Sequence, residues 1–303
     1  MLNIIVPTYN RSALLEFFLS NHTYILDRKG VIISVYDNNS EDGTFQVVSR
    51  YVELYKNIRY IRRPVNIGAV ENVLGGLRDS DAELTMVLAD SYNLSETLLG
   101  KILSETGESL LVLNYCDKIK LGGGKFDSDS ALRYFSGIMS CLPTIVFNQE
   151  SLKSIDGQDA ERTEFPHTQV AFNYLALSNS CMFLADSIFP LDLPKHLIKL
   201  NWSYTNQVFR ISCQEWYKLI KNLPDTYGLD AKSIAFRQFL YTTGLFSFKN
   251  LARRRAAGGF SVSDVISYRS SILACSSLTS LFFVMLMATF PWPVFKKIYK
   301  IFR

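Results

Sequence analysis

Four clusters of polar residues in the first hundred positions have the composition of a ligand-binding site. They are Pro7-Thr8-Tyr9-Asn10-Arg11, Asp37-Asn38-Asn39-Ser40-Glu41-Asp42-Gly43-Thr44, Asn66-Ile67-Gly68 with Asn72, and Asp90-Ser91-Tyr92-Asn93. Carboxylate and amide oxygens can accept hydrogen bonds from a base, arginine can neutralise phosphate, and a glycine before a helix leaves backbone N–H groups open to an anion. Any one cluster is also typical of an ordinary turn. Their order, and their common place after apolar segments, favour a nucleotide site.

Apolar segments rich in β-branched residues precede the clusters and predict the strands that position them. The predicted strands are Leu2 to Val6, Val31 to Tyr36, Ile58 to Ile61 and Leu84 to Leu88. Helices are predicted between them, the first with Ser12 as its N-cap and the others at 44–55 and 68–77. Strands that alternate with helices predict an α/β fold with a mostly parallel sheet flanked by helices, which binds ligands beyond the carboxyl ends of its strands.

The composition is that of a globular protein and excludes several classes. Hydrophobic residues make up 48% and charged residues 20% of the 303 positions, whereas disorder needs fewer apolar groups and more net charge. A formal net charge of +4, without a recognised module or interleaved aromatics, argues against nucleic-acid binding. The five cysteines include no C-x-x-C pair and there are three histidines, so we expect reduced thiols rather than disulfides or a zinc site.

The four clusters resemble the motifs of the family-2 glycosyltransferases, which have the GT-A fold. Pro7 to Arg11 match that family's Pro-Thr-Tyr-Asn-Arg after the first strand, and Asp37 with Ser40 to Thr44 match its Asp and Ser-x-Asp-Gly-Thr turn. The Asn-x-Gly at Asn66 and the acid at Asp90 follow in the family's order. The resemblance covers roughly the first hundred residues. Further on, Gly137 to Phe147 and Phe165-Pro166-His167 resemble the acceptor half of O-antigen transferases of the abequosyltransferase type.

The resemblance implies transfer of a sugar from a nucleotide-diphosphate donor to a glycan acceptor, such as a polyprenyl-linked oligosaccharide in O-antigen, lipopolysaccharide or capsule assembly. It implies a GT-A domain over residues 1–232, with a nucleotide-sugar half at 1–95 and an acceptor half at 96–232. Beyond about Ser233 the resemblance ends, and the residue pattern itself predicts a helical, membrane-associating C-terminal region at 233–303. The implied donor-binding residues are Pro7, Thr8, Tyr9, Arg11, Asp37, Asn39, Asn66, Gly68, Asn72, Asp90 and Ser91. Asp37 would accept the imide N–H of a pyrimidine, or it caps its own loop.

The acidic motif departs from the family pattern. The family has Asp-x-Asp, which binds Mg²⁺ or Mn²⁺ and through it the diphosphate, whereas this chain has Asp90-Ser91-Tyr92. One carboxylate together with phosphate oxygens can still hold a hydrated cation, so Asp90 is the candidate metal ligand. Weak metal dependence and complete loss of the metal both stay open. In the latter case Arg11, Arg62 or Arg63 would neutralise the diphosphate.

The candidates for the catalytic base lie just before, or in the first turn of, the helix predicted at 165–177. An inverting transfer needs a carboxylate or imidazole that removes the proton of the acceptor hydroxyl. Glu164 is the first candidate, His167 the second and Glu161 the third. Glu164 could equally serve only to complement the positive end of the helix dipole.

The C-terminal region contains a long uncharged stretch, from Ser270 to Phe295, with basic residues on both sides. An interfacial helix, a transmembrane helix and a buried core helix are the alternatives. Basic flanks attract anionic lipid, and we therefore expect contact with a membrane surface. The expected location is the cytoplasmic face of the inner membrane, with a peripheral or single-helix attachment.

Two other functions fit an α/β nucleotide-binding fold. A nucleotidyltransferase that makes an activated sugar would begin with a glycine-rich basic loop, which Pro7 to Arg11 is not. A non-catalytic nucleotide-sugar-binding protein is suggested by Tyr92 in place of the second acid.

Overall fold

The computed structural model describes residues 1–105, 109–153, 155, 163–198, 202–291, 293 and 297. Nine strands are formed within this part of the chain. They are β1 (Leu2–Thr8), β2 (Val31–Asp37), β3 (Ile58–Arg62), β4 (Leu84–Val87), β5 (Tyr92–Asn93), β6 (Leu110–Tyr115), β7 (Gly124–Phe126), β8 (Ile145–Asn148) and β9 (Cys181–Pro190).

The strands form one sheet in the order β3-β2-β1-β4-β8-β6-β9-β5, and β7 pairs with β9. β1 runs parallel to β2 and β4, β2 runs parallel to β3, and β6 runs parallel to β9. β8 lies antiparallel between β4 and β6, while β5 and β7 lie antiparallel to β9. The predicted α/β fold with a mostly parallel sheet flanked by helices is confirmed.

The helices lie between and after the strands. They are α1 (Ser12–Asn21), α2 (Thr23–Leu26), α3 (Thr44–Leu54), α4 (Ala69–Arg78), α5 (Glu96–Ser104), α6 (Ser128–Met139), α7 (Gln149–Lys153), α8 (Pro166–Ser178), α9 (Trp216–Lys221), α10 (Leu229–Thr243), α11 (Phe248–Ala256), α12 (Val262–Ser267), α13 (Arg269–Cys275) and α14 (Leu278–Thr289). A π-helical segment, Arg210–Glu215, precedes α9.

The prediction of Ser12 as an N-cap is wrong. Ser12 is the first residue of α1, and Arg11 occupies the N-cap position without a capping side chain. The Ser12 amide instead donates to Asp42 Oδ2 at 2.9 Å. Burial raises the pKa of Asp42, but hydrogen bonds from Thr44 and Ser12 outweigh it and hold that pKa below its usual value. One carboxylate thus ties the first helix to the loop after the second strand.

The parallel strands end in register, and this places the polar clusters side by side. Thr8 pairs with Asp37, and Asp37 pairs with Arg62. β1, β2 and β3 each extend one or two residues past the predicted end, because backbone pairing continues into the polar residues. Four core positions of β1, from Leu2 to Val6, are fully buried, as expected for a central strand covered on both faces.

The described chain divides into two compact units. The first comprises 1–131, 138–162 and 166–197, and the second comprises 132–137, 163–165 and 198–303. The second unit is helical, and its core is centred on the fully buried Trp216, with Phe165 and Phe239 in ring contact with it. The predicted division at residue 233 stays a prediction, because compact units need not coincide with functional domains.

Within the described part of the uncharged C-terminal stretch lie α14 and all of α13 except its first residue, Arg269. α14 has 12 residues, which span about 18 Å at 1.5 Å per residue. None of the helices in the described ranges combines the length and the hydrophobicity that a membrane crossing requires.

Candidate functional site

Asp37 lies at the end of β2, where its carboxylate is fully buried. Its Oδ1 accepts from the Ser40 amide at 2.9 Å, and its Oδ2 accepts from the Tyr60 hydroxyl at 2.5 Å. Burial and these contacts with Asp37 raise the pKa of Tyr60, so the phenol stays protonated and continues to donate. The structure therefore shows the loop-capping role of Asp37, and its role toward a base stays a prediction.

Two asparagines connect the second cluster to the third. Asn38 Nδ2 donates to Asn66 Oδ1 at 2.8 Å, and the Ile67 amide donates to Asn38 Oδ1 at 2.9 Å. Asn66 Oδ1 also accepts from the Gly68 amide at 2.9 Å. Asn66 is thereby fixed by its own loop and by the loop after β2.

The first cluster is tied to the second in the same way. The Asn10 amide donates to Ser40 Oγ at 2.8 Å, and the Glu41 amide donates to Asn10 Oδ1 at 2.8 Å. Asn10 and Asn39 have positive φ angles of 51° and 66°, which asparagine tolerates better than most residues. Arg62 donates to Asn39 Oδ1 at 3.2 Å and to the Ser40 carbonyl at 2.8 Å.

Gly68 is the N-cap of α4 and has a φ of +85°, a conformation that favours glycine. No atom would lie within 4 Å of a Cβ at this position, so the space beside the Gly68 backbone is unobstructed. Asn72, one turn later, is buried: its Nδ2 donates to the Tyr36 carbonyl at 2.9 Å and its Oδ1 accepts from Arg63 at 3.4 Å. Asn72 is therefore placed as a link between α4 and β2.

The end of β1 presents three further predicted residues. Thr8 is buried, and its Oγ1 has no hydrogen-bond partner among the described residues. Tyr9 follows it and is 43% exposed, which leaves its ring accessible to a base or a ribose. Pro7 pairs with Tyr36 across the sheet and is half-buried. An unpartnered buried hydroxyl beside an exposed aromatic ring is consistent with a ligand site.

Asp90 is placed next to Arg11, although 79 residues separate them. Arg11 Nε donates to Asp90 Oδ2 at 2.8 Å, and Arg11 Nη2 donates to Asp90 Oδ1 at 2.9 Å. The Asp90 side chain is 3% exposed and the Arg11 side chain is 34% exposed. This bidentate pair joins the first and fourth clusters, and no sequence signal indicated it.

Tyr92, at the position of the family's second acid, packs against the apolar core. It pairs with Pro190 in the sheet, and its ring lies 6.2 Å from the ring of Tyr115 against the apolar core. Burial raises the pKa of Tyr92, so it remains a neutral phenol. Ser91 is half-buried, and its carbonyl accepts from the Leu191 amide at 2.8 Å. Within the described ranges, no group of three or more His, Cys, Asp or Glu side chains is arranged to hold a metal ion.

The candidate bases have different surroundings. Glu164 belongs to the second unit, and its Oε1 lies 2.6 Å from Arg210 Nη2, with both side chains about one-third exposed at 33% and 32%. His167 is 2% exposed, and burial lowers its pKa to about 4 although nearby backbone groups of Ser140 and Met139 raise it. His167 is therefore neutral at pH 7, and its burial leaves almost none of its side chain exposed to an acceptor hydroxyl. Glu161 lies outside the described residues.

The chain is similar to known proteins both in the sequence of its N-terminal segment and in its fold. Residues 3–109 match the family described as Glycosyl transferase family 2. None of the curated proteins compared with the chain matches it. The structure of S. aureus TarS 1–349 in complex with UDP-GlcNAc has a TM-score of 0.60 at 14% identity, covering 99% of this chain and 91% of that one.

A second similar structure is the mannosyltransferase PcManGT from Pyrobaculum calidifontis in complex with GDP-Man and Mn²⁺. It has a TM-score of 0.54 at 16% identity and covers 98% of this chain and 83% of PcManGT. At such identities the likeness establishes the fold, which is of the GT-A type. Residues 3–109 are thus similar to glycosyl transferase family 2, a family of glycosyltransferases, and they lie in a fold of the GT-A type.

Proposed function

We propose that this chain transfers a sugar from a nucleotide-diphosphate donor to a hydroxyl of a glycan acceptor. The observation that carries the proposal is the single hydrogen-bonded network formed by the clusters after β1, β2 and β3, within the segment that matches the family. The two similar structures contain UDP-GlcNAc and GDP-Man, which supports a nucleotide sugar as the donor.

The donor-binding residues divide into those that would contact the nucleotide and those that hold the loops. Tyr9, Thr8 and Gly68 offer an exposed ring, an unpartnered hydroxyl and a backbone position that no side chain covers. Asp37 and Asn72 are buried and bond to backbone or protein side chains. We therefore assign the contact role to the first group and the supporting role to the second.

Glu164 is the base that we propose for the acceptor hydroxyl, because it is accessible and His167 is not. An acceptor hydroxyl would have to approach the Glu164 carboxylate beside the Arg210 guanidinium, which lies 2.6 Å from Oε1.

The side chains around Asp90 fit the expected Mg²⁺ or Mn²⁺ poorly. A divalent cation occurs on this fold, since PcManGT was solved with Mn²⁺. In this chain both carboxylate oxygens of Asp90 bond to Arg11, so a cation would have to compete with the guanidinium for the carboxylate. No step of the proposed transfer is assigned to a metal here.

Nucleotide binding tests the proposal, and Asp37→Asn is the informative variant. We expect the wild type to bind at least one of UDP, GDP, CDP and dTDP by calorimetry. Asp37→Asn should weaken that binding about 10- to 100-fold, because a charge-assisted hydrogen bond contributes about 1.5–3 kcal/mol. The loop that carries Asn39 and Ser40 would lose its charged anchor.

Tyr60→Phe is the matched control for Asp37→Asn, since it removes the bond to Oδ2 and keeps the carboxylate. Its nucleotide affinity should fall less than that of Asp37→Asn, because the carboxylate and its bond from the Ser40 amide both remain. Equal affinities of Asp37→Asn and wild type would show that Asp37 has no part in the donor site. Absence of any nucleotide binding by the wild type would refute the proposed function.

The acceptor is proposed to be lipid-linked, as in O-antigen, lipopolysaccharide or capsule assembly, and the chain to act at the cytoplasmic face of the inner membrane. Support comes from one face of α14. Leu278, Phe282 and Leu286 are 76%, 70% and 45% exposed and recur every four residues, so they share that face. The opposite face, with Val284 and Met287, is buried against the rest of the second unit.

Charge favours anionic lipid as the partner of this face. Residues 231–303 contain eleven lysines and arginines but a single acid, Asp264. Exposed Lys249 and Phe248 lie on α11, and the Phe248 ring contacts Phe283 of α14 at 5.9 Å. An exposed apolar face on a segment with an excess of basic residues can combine insertion with attraction to anionic headgroups.

The double variant Phe282→Ser/Leu286→Ser should bind vesicles that contain phosphatidylglycerol at least about tenfold more weakly than wild type, because it removes much of the insertable apolar area. Cosedimentation of the full chain with vesicles measures this. The control Leu177→Ser/Leu229→Ser replaces side chains that are 83% and 85% exposed outside α14, and it should bind like wild type. If the wild type does not bind anionic vesicles, or if the two double variants bind them equally well, α14 does not contact lipid.

A further inference from the structure

The Arg11–Asp90 pair occupies the place where a family-2 acidic motif would hold a cation. Two N–H groups of the guanidinium meet the two carboxylate oxygens at 2.8 and 2.9 Å. Such charged, bidentate contacts are among the strongest hydrogen bonds in proteins. The geometry leaves Asp90 as a partner for an arginine rather than as a ligand presented to a metal.

The other members of the motif reinforce this arrangement. Tyr92 is packed against the core beside Tyr115 and supplies no carboxylate. Ser91 can contribute at most a neutral hydroxyl. A divalent cation at this place would therefore have one protein carboxylate, for which it competes with a fixed guanidinium.

Arg11 has the properties of a phosphate ligand. A guanidinium has five N–H donors; Nε and one hydrogen of Nη2 face Asp90, which leaves Nη1 and the second hydrogen of Nη2 to point elsewhere. The Arg11 side chain is 34% exposed, while Asp90 beneath it is 3% exposed. Arg11 also lies directly before α1, in the loop that carries Tyr9 and Asn10.

We propose that Arg11, held by Asp90, binds the diphosphate of the donor in place of a divalent cation. This inference rests on the proposed function, since it needs a nucleotide diphosphate in the site. Arg11 is the residue that touches the ligand, and it stabilises the negative charge that grows on the leaving diphosphate. Asp90 is a positioning residue, because a guanidinium fixed at two atoms loses less freedom on binding phosphate.

The experiment measures the calorimetric affinity of the full-length protein for UDP, GDP, CDP and dTDP and for the matching nucleosides, each with EDTA and with Mn²⁺. The variants are Arg11→Gln, Arg11→Lys and Asp90→Asn. Arg50→Gln is the control, because Arg50 is a 63% exposed arginine paired with Glu16 on the surface. The nucleosides serve as reference, since they contact the base site but offer no diphosphate to Arg11.

We expect EDTA to change the wild-type affinity for the best diphosphate less than threefold. Arg11→Gln should weaken that affinity about 10- to 100-fold and leave the nucleoside affinity unchanged. Arg11→Lys should restore part of the loss, because it keeps the charge but not the fork. Asp90→Asn should also lower the affinity for the diphosphate and leave the affinity for the nucleoside unchanged. Its loss of affinity should be smaller than that of Arg11→Gln.

Two results would overturn the inference. One is a loss of wild-type diphosphate affinity in EDTA of tenfold or more that Mn²⁺ restores. The other is an Arg11→Gln protein that binds the diphosphate like Arg50→Gln, or that loses nucleoside and diphosphate affinity equally. Failure of the wild type to bind any of the four nucleotides is a different outcome, since it refutes the proposed function itself.

Discussion

Replacing Trp216 by alanine is expected to destabilise the second unit by about 3–5 kcal/mol, the range for truncation of a large buried aromatic side chain. Trp216 is fully buried, and its Nε1 donates to the Ala235 carbonyl at 2.9 Å. The rings of Phe165 and Phe239 each lie 5.3 Å from its own. The substitution therefore leaves a cavity among side chains that cannot close around it.

Urea unfolding followed by circular dichroism measures this loss, and hydrogen exchange in α9 and α10 locates it. Trp202→Ala is the matched control: Trp202 stacks on Phe239 but is 37% exposed, so its loss should cost much less. Phe165, whose ring contacts Trp216, directly follows Glu164 in the chain. Trp216→Ala should therefore also increase hydrogen exchange around the Glu164–Arg210 pair. A change in unfolding free energy below about 1 kcal/mol would contradict the packing described here.

Gly137→Ala is expected to destabilise the protein by about 3 kcal/mol, near the upper end for overpacking. Gly137 lies in α6, and a Cβ there would meet the Gln238 carbonyl oxygen at 2.6 Å and its carbon at 2.9 Å, besides the Thr242 side chain. The first two are backbone atoms of α10, so relief requires that the helices separate. Thermal and urea unfolding of the variant measure the effect.

Gly100→Ala provides the matched comparison in an open environment. Gly100 lies inside α5, and a Cβ there would have no atom within 4 Å. Because alanine is favoured over glycine in a helix interior by about 1 kcal/mol, this variant should be slightly more stable than wild type. Opposite signs for the two substitutions would establish the close approach of α6 and α10, whereas two stabilising substitutions would refute it.

Much of the first hundred residues could be predicted because buried parallel strands are continuous apolar segments. Val31 to Tyr36 and Ile58 to Ile61 were recognised almost to the residue for this reason. β9 was not predicted, because Cys181–Pro190 mixes apolar and polar residues around Asp186, and its register with β6 shifts at Leu113/Asn114. Strands that lie half-exposed or carry a bulge lack the uniform pattern.

The site was predictable in its residue types and less so in its contacts. The order of polar clusters after β1, β2 and β3 follows from local patterns, and the structure joins those clusters into one network. The pairing of Arg11 with Asp90, and the use of Tyr60 to satisfy Asp37, depend on strand register and on side-chain packing. Residue spacing alone reveals neither of these two contacts. The sequence therefore indicated Asp90 as a candidate metal ligand and not as the partner of Arg11.

The order of strands in the sheet has a consequence for the chain while it is being synthesised. The parallel pairs among β1 to β4 lie within the first 87 residues. The neighbours of β6 (Leu110–Tyr115) are β8 and β9, which are synthesised later, and β9 spans Cys181–Pro190. Until those segments leave the ribosome, one edge of β4 and both edges of β6 have unpaired backbone groups that favour aggregation. A nascent chain stalled before Cys181 is therefore expected to depend on chaperones more than the complete protein does.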